Sequence, residues 1–214
     1  MLSIVSLVIS GVSLSVATAT AWVTVWRRGS VRMAQPPTIY FGPDGARERH
    51  PKVFVRALLY ATAARGRIVE GMFARLTRGD SSQTFSVWVC GAGRSSLGRG
   101  VGFAVRADGV ALDHHFLLPH DGTTYSFLAG NYRIELFAVL VGQSRPLELR
   151  SVELTVGESQ AAELCGDPTS GLYFDWSPET GRYHGHIDHA KLPESPPMLF
   201  VAPYPSEPTP QARG

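Results

Sequence analysis

The 214-residue sequence has only two cysteines, Cys90 and Cys165, and no Cys-x-x-Cys pair. That excludes a disulfide framework and a thiolate zinc site. Lysine is almost missing, since 18 of the 20 basic residues are arginine. No Gly-x-Ser-x-Gly elbow occurs, and the glycine-rich stretch from Gly93 to Gly100 lacks the Lys-[Ser/Thr] ending of a phosphate loop. The net charge of +2 is small and no aromatic–basic recognition motif is present, so nucleic acid is not an expected partner. What is plentiful is apolar: hydrophobic residues make up 44% against 18% charged, enough for a core and too much for wholesale disorder. The 22 glycines and 15 prolines favour turns and strands over a helical bundle.

The longest gap in charge runs from Leu2 to Trp26, 25 residues in all. A spanning helix needs about 20. Trp22 and Trp26 close the run and Arg27 and Arg28 follow at once. Indoles favour the headgroup layer and arginines resist translocation, so this end reads as a cytoplasmic boundary. The expectation is a transmembrane anchor over residues 1–28, in the cell membrane, with a single pass and the remaining chain in the cytoplasm. The rival is a cleaved secretory signal, because Ala17-Thr18-Ala19 and Ala19-Thr20-Ala21 have the small-x-small form of a cleavage site. The domain would then be exported or periplasmic. Against this, no Lys or Arg precedes the apolar run.

Within the run, Ser6, Ser10, Ser13, Ala17 and Thr20 alternate spacings of three and four, a seam of small residues on one helical face. Such a seam lets helices approach closely in lipid, which points to a homo-oligomer or a partner helix. Hydroxyls bonding carbonyls of their own helix would produce the same pattern.

After a linker at 29–37, in which Pro36-Pro37 blocks a helix, the periodicity changes to two. Val53, Val55, Ala57 and Leu59 alternate with Phe54, Arg56 and Leu58, and Phe85, Val87 and Val89 with Ser86 and Trp88. Ile134, Leu136, Ala138 and Leu140 alternate with Arg133 and Glu135. Strands are expected at 38–41, 53–61, 67–76, 83–90, 100–106, 109–118, 123–127, 131–141 and 147–156, with a phase slip near Arg150-Ser151 that signals a β-bulge. No segment beyond residue 30 shows a sustained helical period. Many short strands at this spacing define an all-β sandwich over 38–157. The stretch from Phe127 to Glu135, with its Gly130-Asn131-Tyr132 step, resembles the penultimate strand of immunoglobulin-like and prealbumin-like sandwiches. The resemblance implies an immunoglobulin-like antiparallel fold in which Tyr132 ties a corner, and no activity.

Residues 158–190 are expected to add a C-terminal hairpin, 171–176 against 182–188, around the turn Pro178-Glu179-Thr180-Gly181. Seven prolines fall from Pro193 onward, so 191–214 reads as an extended or disordered tail. Charge is segregated: residues 1–107 hold 14 basic and 4 acidic side chains (+10), residues 108–214 hold 6 and 14 (−8). Either the basic half faces anionic headgroups, or early and late strands pair and neutralise one another, the reading preferred here.

The candidate chemistry lies in the histidines. A four-residue turn sets Asp175 opposite His184 and Tyr173 opposite His186, and alternation puts Asp175, His184 and His186 on one face. Two histidines and a carboxylate suit a divalent metal such as iron or zinc, with Arg182 opposing it. His114 shares the face of Leu112 and Phe116 and reads as a core-edge histidine held by a hydrogen bond. His115 and Asp113 share the opposite face, a pair able to orient an imidazole for base chemistry, with no nucleophile in a recognisable context beside it. The favoured expectation is a membrane-held structural or protein-interaction module; the alternatives are a metal-dependent enzyme and an exported envelope binding domain.

Overall fold

The computed structural model describes residues 2–22, 29–44, 50–93, 96–100 and 102–189. Trp26, Arg27, Arg28 and the proline-rich segment 191–214 lie outside the described residues. Helix α1 (Leu2–Ala21) contains an 18-residue window, Ile4–Ala21, with mean hydropathy 1.9 and none of it buried. By length and composition it can cross a membrane. Its hydroxyls turn inward on the helix itself: Ser10 Oγ donates to Ser6 O at 2.9 Å and Thr20 Oγ1 to Val16 O at 2.8 Å. Ser15 and Thr18 do the same.

Thirteen strands follow among the described residues. One sheet contains β1 (Val31–Met33), β2 (Thr38–Pro43), β3 (Pro51–Ala61), β6 (Val87–Gly91), β7 (Gly98–Arg99) and β9 (Val110–Leu117). Its edge is extended by β12 (Ser170–Ser177) and β13 (Arg182–His189), giving the order β13-β12-β2-β3-β9-β6-β7 with β1 also on β3. The other sheet holds β4 (Arg67–Arg78), β5 (Ser81–Phe85), β8 (Phe103–Val105), β10 (Gly130–Leu140) and β11 (Leu147–Val156). There the order is β11-β10-β4-β5, with β8 also on β4. Every pairing is antiparallel. The sequence β2-β3-β9-β6 against β11-β10-β4-β5 is the A-B-E-D against G-F-C-C′ arrangement of an immunoglobulin-like sandwich, with the hairpin added beside strand A.

The alternating residues close the core between the sheets. Val53, Val55 and Leu59 meet Ile134, Leu136 and Leu140, all buried. Phe41 anchors one end, its ring 5.0 Å from Phe127, 5.7 Å from Tyr132 and 5.2 Å from Phe174 of the hairpin. Tyr132 ties the corner as its motif implies, its hydroxyl donating to Leu128 O at 2.7 Å. Gly130, at φ 140°, supplies the backbone geometry before it.

The phase of one strand is reversed from expectation. Phe85 is buried, but so is Trp88, while Val87 and Val89 are only half-buried. The run 83–90 is two strands: β5 ends in one sheet, the chain crosses at Ser86, and β6 begins in the other, so the inward face changes parity. Two further differences concern elements. No strand forms at 123–127, and a helix, α2 (Glu158–Gly166), occupies a segment with no recognisable helical period. Strand β1 falls inside the expected linker. The bulge is where the phase slip placed it: Leu136 faces Arg150 and Phe137 faces Glu148, leaving Leu149 as the extra residue.

Early and late strands do neutralise one another. Arg56 on β3 clasps Asp113 on β9 at 2.7 and 3.1 Å, and Arg75 on β4 approaches Glu135 on β10 at 4.0 Å.

Candidate functional site

The added hairpin docks because Pro36-Pro37 breaks the strand between β1 and β2. Neither proline has an N–H, and their carbonyls are left for a new partner. The hairpin takes both: Trp176 N–H donates to Pro37 O at 2.8 Å and the Tyr183 hydroxyl to Pro36 O at 2.7 Å. Gln35 Nε2 donates to the same hydroxyl at 2.9 Å. Burial pushes the Tyr183 phenol up to about 12, so it remains a donor at neutral pH. Trp176 packs edge-on against Tyr183 with centroids 5.1 Å apart.

Helix α2 secures the other side through Gln160. Its Oε1 accepts from Gly157 N–H at 3.0 Å, closing the first turn, and its Nε2 donates to Gly185 O at 3.3 Å. The Gly157-x-x-Gln160 spacing was a visible start signal that the short, weakly periodic helix obscured. Further along, His189 is held by Glu163 at 3.1 Å, Asp167 at 3.2 Å and Ser170 at 3.2 Å. Glu163 meets Nε2 and Asp167 meets Nδ1, so the two carboxylates lie on different sides of the ring and cannot share one metal ion with it.

Because β12 and β13 extend their sheet past strand A, they overhang the end of the second sheet. That end is β11, which among the described residues pairs only with β10. A groove of about 610 Å³ lies between them, walled by Ser151 to Thr155 and floored by Phe174, Trp176, Tyr183 and Gly185. The volume is in the range of ordinary ligand clefts.

The expected hairpin register is present: Asp175 pairs with His184 and Tyr173 with His186. The side chains diverge, however. Asp175 Oδ2 lies 3.5 Å from His186 Nδ1, and its Oδ1 accepts from Thr38 Oγ1 at 2.9 Å. His184 Nε2 instead meets Thr180 Oγ1 at 3.2 Å. Among the described residues no group of three or more His, Cys, Asp or Glu side chains is placed to hold a metal ion.

His186 also belongs to a cross-strand row that sequence reasoning missed. Strand register aligns His186, Tyr173, Tyr40, Phe54 and His115 across the outer face of the larger sheet. Tyr173 stacks on His186 at 5.7 Å, while Tyr40 packs at a tilt on Tyr173 at 4.8 Å and Phe54 on His115 at 4.9 Å. The five are individually unremarkable along the chain and become a row only once register is known. His115 is thus packed against a ring, while its expected partner Asp113 is engaged by Arg56, which holds that carboxyl below the usual carboxylate range. His114 is core, wholly buried, with Trp88 Nε1–H donating to its Nδ1 at 3.2 Å. Cys90 and Cys165 are free thiols, and burial raises the former's pKa.

The fold and groove define a class, an immunoglobulin-like β-sandwich behind an apolar helix. No protein-family model and no curated protein sequence matches the chain. A solved structure of a family 123 glycoside hydrolase from Clostridium perfringens is similar over 61% of this chain and 27% of that chain, at 8% identity and a TM-score of 0.32.

Proposed function

We propose that this chain is a single-pass membrane protein whose immunoglobulin-like sandwich faces the cytoplasm and binds an extended segment of a partner protein along β11. The supporting observation is the outer edge of β11, ten residues long, unpaired among the described residues and walled by the hairpin. A free edge presents backbone N–H and C=O groups in a repeat that another extended backbone satisfies. Trp176 and Tyr183 give the added strand apolar surface, and Glu153 and Arg182 give it charge selectivity.

Photo-crosslinking amino acids placed at Ser151, Glu153 and Thr155 in membrane-embedded full-length protein test this reading. Crosslinks to one polypeptide at these positions, absent at Ser82 on the opposite edge and lost with Trp176→Ala, are the expected result. Equal crosslinking at Ser82, or indifference to Trp176→Ala, would overturn it.

A further inference from the structure

We infer that the end of the sandwich nearest α1 is a second membrane-contact site, which takes the headgroups of anionic phospholipid. This rests on the reading of α1 as an anchor and goes beyond it, because an anchor alone does not dictate how the domain sits.

The chain emerging from α1 is tied to that end. Ser30 N–H donates to Thr62 Oγ1 at 2.8 Å, and Thr62 N–H returns to Ser30 O at 2.9 Å. Ala61 N–H bonds Arg106 O at 2.9 Å and Val141 N–H bonds Ile68 O at 3.0 Å, so the turns around residues 62, 106 and 141 share one end. Between Trp22 and Gly29 stand six residues. Even fully extended, that connection reaches at most about 25 Å. The end around Thr62 therefore stays close to the membrane surface whatever path the connection takes.

Its chemistry matches that surface. Segments 29–32, 58–70, 104–110 and 140–146 hold five arginines (Arg32, Arg65, Arg67, Arg106 and Arg145) and two carboxylates, Glu70 and Asp108, a formal charge of 5 − 2 = +3. Four of the five are exposed, and among the described residues none makes an ion pair with a carboxylate. Past Trp22, at the end of the apolar segment, the large apolar side chains exposed among the described residues collect there too: Leu58, Tyr60, Ile68 and Val141, with Leu128 the one elsewhere. The opposite end carries Asp80, Asp121, Glu158, Glu163 and Asp167, with Arg78 and Lys52 as its described cations. Among the described residues, internal pairing thus neutralises the strands, while the turns near α1 carry net positive charge and the opposite end net negative charge. Unpaired arginines among exposed apolar and aromatic groups suit an anionic interface, where guanidinium meets phosphate and the apolar groups enter the headgroup layer.

The test is amide hydrogen exchange on the full chain in nanodiscs of phosphatidylcholine alone and of phosphatidylcholine with 30% phosphatidylserine. Exchange at 62–68, 106–109 and 141–146 is expected to slow about tenfold in the anionic discs. High salt, and the variant Arg65→Gln/Arg106→Gln/Arg145→Gln, should each reverse the effect. These exposed turn positions support no core contact, so the variant keeps the wild-type exchange pattern elsewhere. Equal exchange in both discs, with the protein firmly disc-bound, would refute the contact site and leave the anchor standing. Failure to enter discs at all would refute the anchor.

Discussion

His114 is wholly buried between the sheets, close to the rings of Trp88, Phe103 and Phe116. An indole N–H can only donate, so Nδ1 accepts from Trp88 and the imidazole's own proton sits on Nε2, which has no partner among the described residues. Burial lowers its pKa from 6.5 to about 4, the nearby Asp113 carboxylate offsetting this only in part. Below pH 6.5 the unfolded chain therefore takes up a proton that the folded chain refuses. His114 drains stability as pH falls from 6.5 to about 4, and below that the loss levels off. The interval corresponds to about 3 kcal/mol. His114→Phe should abolish this component while costing about 1–3 kcal/mol at neutral pH, because the Trp88 N–H loses its acceptor. The assay is urea unfolding of full-length protein in micelles at several pH values, with wild type minus variant cancelling the carboxylates. The expected difference is about 3 kcal/mol less acid loss in the variant. Parallel pH profiles would instead mean that the imidazole is solvated or charged in the fold.

Tyr132→Phe deletes the corner bond to Leu128 O and should cost about 1–2 kcal/mol in the same unfolding assay. Arg56→Ala leaves the largely buried Asp113 carboxylate without its clasp. Its titration should move upward, and the acid-unfolding midpoint should rise with it. Gly171→Ala places a Cβ against the Tyr40 ring, so the ring or the hairpin has to move, and limited proteolysis should cut 170–189 faster than in wild type. Zinc titration of the full chain should show no change in affinity on His184→Ala, since His184 turns to Thr180 while Asp175 and His186 pair.

Much of the sandwich is readable along the chain because period-two alternation survives wherever one face is buried. Residues 53–61 and 131–141 alternate cleanly and fold as β3 and β10. Alternation is blind to a change of sheet, which is why Trp88 faces the core against expectation. Helix α2 buries only Ala161, so it had no apolar stripe to announce it. The hairpin register followed from turn length, yet side-chain direction did not. Whether His184 reaches Asp175 or Thr180 is a rotamer choice that spacing does not encode. The groove was invisible for a different reason. It arises from the overhang of one sheet past the other, which depends on Pro36 and Pro37 accepting bonds from a hairpin about 140 residues later.

The proposed function requires that α1 remain as a membrane anchor with the sandwich on the cytoplasmic side. A pair of carboxyl-terminal reporter fusions, one active only in the cytoplasm and one only after export, tests it most directly. Activity from the cytoplasmic reporter alone, in the membrane fraction, on a chain that still begins at Met1, is the expected result. Activity from the exported reporter, on a chain cut after Ala19 or Ala21 and released from the membrane, would contradict it.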